Sequence, residues 1–250
     1  MDYKGEPSPL NWPCINSHFG VLDIAAFEKD SAGYYKAWWM NDTAHAYLLP
    51  GSWNHPPGTV LPEVIVFAAA SYAELFINGA SLGVRAILPF DVARWATVAY
   101  EPGNISAITY DASNATLATA LLSTTGAPTS LRLSADAGSA TISADGSDVS
   151  LLRLEIVDAA GALVPDASPL VTWAVTSGPG ALIGLANGDP SDLTPDKVGH
   201  PELPYGGVWA RPAYHGLARA IVQGSTQPGS IVVTASAAGL APATFTVTTQ

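Results

Sequence analysis

From residue 64 to residue 248 the chain is written as short runs of β-branched, aromatic and aliphatic residues, each stopped by Gly, Pro, Asn or Asp. Runs this short are poor helices and good strands. Val64–Ala69, Ala73–Ile77, Trp95–Tyr100, Ile105–Tyr110 and Thr116–Ser123 read as the strands of one antiparallel sandwich. Asn78-Gly79 is a hairpin signal, because a type I′ turn requires positive φ at both central residues. Pro102-Gly103 and Asp111–Asn114 read as further turns.

Gly126-Ala127-Pro128 reads as a linker. Beyond it Ser130–Ser134, Val149–Asp158, Leu170–Thr176, Leu217–Gln223, Ile231–Ala237 and Ala243–Thr248 resume the pattern. The turns there carry Asp145-Gly146, Ala160-Gly161 and Pro228-Gly229. The expected fold is mainly β: two tandem immunoglobulin-like β-sandwiches, with 23 Gly and 20 Pro to supply the turns. The expected division is 1–40, 41–126 and 127–250. The long gap from Asn187 to Tyr214, rich in Pro and Gly, reads as a functional or disordered loop.

The first forty residues follow another pattern. Gly5, Pro7, Pro9 and Pro13 predict a loop, and Ile15 to Ile24 a short strand or extended stretch. Asp30 or Ser31 is placed to cap a helix. Behind it Tyr34, Tyr35, Trp38 and Trp39 form a wide aromatic stripe on one helical face. A helix this short persists only by packing. The stripe therefore needs a partner surface, the first sandwich, or exposure to water.

The charge excludes some functions. A net charge of −11 arises from scarce Lys and Arg, with only 12% of residues charged. Nucleic acid and anionic membranes require clustered basic residues, so neither is an expected partner; neutral sugars remain compatible. A single cysteine, Cys14, excludes an internal disulfide. No apolar run is long enough to span a bilayer as a helix. The five histidines show no paired metal-ligand spacing, and no metal or other cofactor is expected. Gly79-Ala80-Ser81-Leu82-Gly83 has the letters of a nucleophile elbow, but a hairpin signal stands where the elbow needs a strand-to-helix turn. Gly178, Gly180 and Gly184 lack both the spacing and the βαβ context of a nucleotide loop. Asp145–Asp148 and Asp189–Asp192 are explained by turns.

Several stretches resemble a known family. Asp2-Tyr3-Lys4-Gly5-Glu6-Pro7, Trp12-Pro13, Asn16-Ser17-His18-Phe19-Gly20, Asp23, Phe27 to Asp30 and the aromatic helix are similar to the end of the catalytic (β/α)8 barrel of glycoside hydrolase family 2, of the β-galactosidase-like kind. Ala73–Gly79 with Leu82-Gly83, and Tyr100–Gly103, resemble the sandwich after that barrel. Asn187-Gly188-Asp189-Pro190 and Gly216–Gln223 resemble the final immunoglobulin-like domain.

The resemblance implies a retaining glycosidase in carbohydrate metabolism, acting through two glutamates roughly 5 Å apart. In the family both lie on barrel strands before the position matched by Met1, so no catalytic residue is assigned here and the chain alone is expected to be inactive. The loop after the eighth strand borders the catalytic mouth in such barrels. By resemblance Asp2 faces that mouth, Glu6 and Trp12 shape it, and Asn16 and His18 lie near the far end of the sugar. Trp209, in the long loop, is the candidate for an aromatic wall lent by the terminal domain. The implied partners are a carbohydrate substrate and the missing barrel half or a second copy of the chain. The family favours a secreted, periplasmic or extracellular location.

Each residue also has a structural reading: Asp2 and Glu6 as turn or ion-pair residues, Trp12 and Trp209 as loop packing, His18 as a satisfied structural histidine. The alternative function is a non-catalytic carbohydrate-binding or cell-surface adhesion module, since a fold alone does not fix a function.

Overall fold

A computed structural model describes residues 1–5, 11, 16, 18–197 and 207–250. The chain divides into two compact units. One is Glu28–Thr125; the other joins Met1–Phe27 to Gly126–Gln250. The opening forty residues, expected as one piece, are thus shared between the two, with the break after Phe27. The described residues 18–24 hold no named strand; of the rest of the stretch expected as a short strand or extended run, residues 15 and 17 lie outside the described residues.

The first unit contains α1 (Ala32–Trp39), β1 (Tyr47–Leu49), β2 (Val60–Phe67), β3 (Tyr72–Ile77), β4 (Ala80–Ala86), β5 (Ala93–Ala99), β6 (Asn104–Tyr110) and β7 (Thr116–Ser123). Its sheets run β1-β2-β5 and β4-β3-β6-β7. Alternation along β3 and β6 turns Ala73, Leu75, Ile77, Ile105 and Ala107 inward, against Val64, Val66, Trp95 and Val98 of the facing sheet. The buried Trp53 closes one end of this core, donating its indole N–H to the Glu101 carbonyl at 3.0 Å.

Asn78 and Gly79 take φ of 49° and 82° and turn β3 back into β4. Ser81 therefore lies on a strand, where its hydroxyl donates to Glu74 at 2.5 Å, and no helix follows it. A nucleophile elbow is excluded.

In β5 the Pro62–Thr97 pair drops out of an otherwise continuous register with β2. Proline has no N–H to offer there. Thr97 adopts φ 57°, an unusual conformation for a β-branched residue. The inward-facing set shifts at this point from Ala93 and Trp95 to Val98.

The aromatic stripe of α1 splits. Tyr34 and Trp38, one turn apart, pack with Ala37 on the outer face of β2 at Ile65 and Phe67. Tyr34 donates its hydroxyl to the Phe90 carbonyl at 2.9 Å, and Trp38 its indole N–H to the Asp91 carbonyl at 3.0 Å. Tyr35 and Trp39 pair edge to face at 4.7 Å, and Trp39 is 76% exposed. Ser31 holds the N-cap position but forms no side-chain cap. Asp30 instead accepts the Gly51 amide at 3.1 Å, tying the helix start to the turn after β1.

The second unit contributes β8 (Ser130–Ala135), β9 (Thr141–Ile142), β10 (Val149–Val157), β11 (Leu170–Ser177), β12 (Gly180–Ala186), β13 (Ala210–Pro212), β14 (Leu217–Gly224), β15 (Gly229–Ser236) and β16 (Ala243–Thr249). Its sheets run β12-β14-β10-β8 and β13-β11-β15-β16-β9, and only β9 with β16 is parallel among their ladders. Reading β8, β10, β11, β12, β14, β15 and β16 as A to G gives the ABED and CFG sheets of an immunoglobulin constant-type sandwich. Trp173 on β11 is the buried strand-C tryptophan of that plan. The core is Leu152, Leu154 and Ile156 of β10 with Ala218, Ala220 and Val222 of the neighbouring β14, against Val171, Trp173, Ile231 and Val233 of the facing sheet.

The split stripe makes a testable contrast. Trp38→Ala removes a packed indole with a hydrogen bond and is expected to cost about 2–3 kcal/mol. Trp39→Ala is expected to stay within about 0.5 kcal/mol. Calorimetry of the first unit's transition decides; equal costs contradict the assignment of faces.

Candidate functional site

Residues 1–27 are held to the second sandwich mainly by side chains. Arg153 of β10 and Arg219 of β14 are register partners on the sheet face away from the core. Phe27 lies between their guanidinium groups, whose carbons are 5.3 and 4.7 Å from the ring centroid. Cation–π attraction gains when it is desolvated, and Phe27 is buried. Arg219 also donates Nε to the Ala25 carbonyl at 2.7 Å and pairs with Asp136.

The turn presenting Phe27 is built by Asp23. Its carboxylate accepts the Ala25 and Phe27 amides at 2.8 and 2.9 Å, while its own N–H donates to the Phe27 carbonyl at 2.8 Å. Gly188 of the Asn-Gly-Asp-Pro stretch comes up against this turn. A Cβ there would lie 2.0 Å from Asp23 Oδ2 and would push that carboxylate off the turn it builds.

The described part of the long loop, 187–197, is organised by Arg211, whose side chain is 1% exposed. Arg211 Nε donates to Asp192 at 2.9 Å, Nη1 to the Leu185 carbonyl at 2.5 Å and to Asp196 at 3.0 Å, and Nη2 to the Thr194 carbonyl at 2.9 Å. Buried Asn187 adds bonds from Nδ2 to Asp192 and to the Pro212 carbonyl, both 2.8 Å, and accepts the Asp189 amide at 3.1 Å. Lys4 reaches Asp196 at 2.7 Å, so the N-terminal segment joins the same network. Burial pushes the Asp192 carboxyl up, but the Thr194 bonds and the Arg211 charge outweigh it and hold it below the ordinary range. Tyr214 is pushed up by burial first and then by Asp189 and Asp23.

The residues singled out from the sequence are distributed as follows. Asp2 is 4% exposed; its N–H donates to the Leu22 carbonyl at 2.7 Å and its carboxylate accepts the Gly20 amide at 2.8 Å. Asn16 is buried and accepts the His18 amide at 2.8 Å, an Asx turn. His18 is exposed at φ 61°, beside exposed Phe19. Asp2, Asn16 and His18 thus share one folded segment, Asp2 reaching it through Gly20. Glu6 and Trp12 lie outside the described residues. Trp209 packs, half-buried, against its own sandwich core, and its carbonyl accepts the Trp173 amide at 2.7 Å. Among the described residues no group of three or more His, Cys, Asp or Glu is placed to hold a metal ion.

The residues that organise this region were not expected in that role: Arg211 counted only as a member of the long loop, Asp192 as part of a turn and Arg219 as one letter of a family stretch. A signal existed: in a chain so poor in cations, Arg219 interrupts an apolar strand and Arg211 follows an apolar run.

Arg211→Ala leaves Asp192 and two carbonyls without their buried donor. We expect a loss of about 3–5 kcal/mol from the second unit's unfolding transition; a loss under 1 kcal/mol removes Arg211 from its central role. The pH dependence has a definite sign. Because the Asp192 carboxyl is lowered in the folded state, its contribution is complete above the unfolded carboxylate value of about 3.9 and fades as pH falls through the lowered folded value. Asp192→Asn is expected to flatten that part of the acid-unfolding curve.

Comparison with known proteins places these features. Residues 131–246 match glycoside hydrolase family 2 C-terminal domain 5, and residues 58–118 match a domain of unknown function (DUF4982). Over 100% of its length the chain is 33% identical to a β-galactosidase of Bacteroides ovatus, of which it spans 28%. It is 30% identical over 67% of its length to a β-glucuronidase of Formosa agariphila, of which it spans 17%. The crystal structure of a β-glycosidase from Bacteroides vulgatus superposes with TM-score 0.84 at 28% identity, covering 99% of this chain and 30% of that one. The chain thus spans under a third of these proteins, and it belongs to glycoside hydrolase family 2 as the C-terminal portion of such an enzyme.

Proposed function

We propose that the protein to which this chain contributes is a retaining glycosidase acting on β-galactoside-type bonds, and that its catalytic glutamates lie outside these 250 residues. The observation that carries the reading is the similarity, over the whole of this chain and 28% of that protein, to the Bacteroides ovatus β-galactosidase. The surface of the N-terminal segment supports it. Tyr3, His18 and Phe19 are exposed, while Asp2 and Asn16 beside them in the sequence are buried, so these rings are left facing outward. In this reading they border the mouth of the catalytic domain, with Glu6 and Trp12, and Trp209 serves its own core. The sandwiches position and stabilise; they carry out no bond cleavage.

The test compares two proteins on chromogenic β-galactoside and β-glucuronide. The 250-residue chain is expected to give no turnover. The protein extended by the coding sequence upstream of Met1 is expected to hydrolyse the galactoside, with His18→Ala lowering kcat/KM at unchanged melting temperature. Turnover by the short chain, or none by the extended protein on the galactoside, overturns the reading.

A further inference from the structure

Between β4 and β5, the edge strands of the first unit's two sheets, lies a groove of about 410 Å³. Ile77, Trp95 and Val98 form its floor and Leu82 its lip, with Arg85 and Glu101 also in the lining. The span from Ala80 to Arg85 along β4 is about 16 Å at the strand rise of about 3.3 Å per residue. That length exceeds a single sugar ring.

Of the two charged side chains Arg85 is set in place, its Nη1 donating to the Val84 carbonyl at 3.1 Å. The Arg85 guanidinium stands over the Trp95 ring at 5.9 Å, and the Trp95 indole N–H donates to the Gly83 carbonyl at 3.1 Å. The main chain at Glu101 is fixed by the Trp53 indole. Among the described residues neither Arg85 nor Glu101 has an ion-pair partner, and both are exposed. The groove thus offers a fork of donors, a carboxylate acceptor, an apolar floor and no net charge.

We propose that this groove binds a neutral oligosaccharide, taking the ligand class from the glycosidase reading above. The lining decides against other ligands. A charged ligand satisfies one of Arg85 and Glu101 and opposes the other. A peptide adding as a strand needs a continuous row of free backbone groups. Here the Gly83 carbonyl is already taken by Trp95, and β5 is kinked at Thr97. Hydroxyl groups donate to Glu101, accept from Arg85 and Thr97, and lay their C–H faces on the floor.

The test is a titration of the ¹⁵N-labelled 250-residue chain with cellotetraose and with β-1,4-galactotetraose, using tetragalacturonate as the charged control. Expected are saturating shifts of the Trp95 indole and of the Gly83 and Thr97 amides with a neutral sugar. Arg85→Ala and the near-isosteric Glu101→Gln are each expected to weaken binding about tenfold, the loss of one charge-assisted bond, at unchanged melting temperature. No shift at these signals up to the solubility limit, shifts that survive in the double variant, or selective binding of tetragalacturonate overturns the proposal. The readout involves no hydrolysis. A failed groove thus leaves the glycosidase reading standing, and a failed glycosidase assay leaves the groove to be decided by its own titration.

Discussion

Arg211 supplies by one side chain what a strand ladder supplies elsewhere in the second sandwich. Its guanidinium bonds to Asp192, Asp196 and the carbonyls of Leu185 and Thr194, fixing an irregular segment that has no sheet to satisfy it. Backbone polar groups kept from water must find partners, and a planar fork with five donors is suited to collecting several acceptors. Remove it and Asn187 loses the arrangement that holds Gly188 against Asp23. The Asp23 turn in turn presents Phe27 to Arg153 and Arg219. The attachment of the N-terminal segment therefore rests on two buried cations, Arg219 directly and Arg211 through Gly188 and the Asp23 turn.

Much of the β architecture was legible because alternation in a half-buried sheet leaves a period of two in the sequence. Strands β7 and β10 fall within a residue of expectation for this reason. The strands that escaped had specific causes. β12 carries Gly180 and Gly184, which read as loop, yet a Cβ at Gly180 would meet the Gln223 carbonyl of the paired strand at 2.7 Å, a close approach that glycine allows. β1 and β13 are three residues long and leave no period to detect. The largely exposed β4 offers no alternation, although the turn before it announced the hairpin.

The helix shows a subtler limit. Four aromatics at i, i+1, i+4 and i+5 give a stripe wide enough to touch two surfaces, and the sequence does not say where the dividing line falls. Packing settles it: the small residues Gly33 and Ala37 allow close approach to Tyr47 and to the β2 face, which draws Tyr34 and Trp38 inward with them. The site residues were legible only as letters in family motifs. That Asp2 spends its carboxylate on an amide of its own segment, and Trp209 packs on its own core, follows from contacts distant in sequence that no local pattern encodes.

The discontinuity of the second unit bears on how this protein is made. A ribosome delivers residues 28–125 as one contiguous block, which can fold while the remainder is still being synthesised. The first 27 residues are delivered earlier still but must wait for β14, nearly two hundred residues later, before Arg219 exists to receive them. Closing so long a span costs little more entropy than closing a moderate one. The delay is therefore one of translation time, during which this segment, still without its receiving strand, is open to a chaperone or protease.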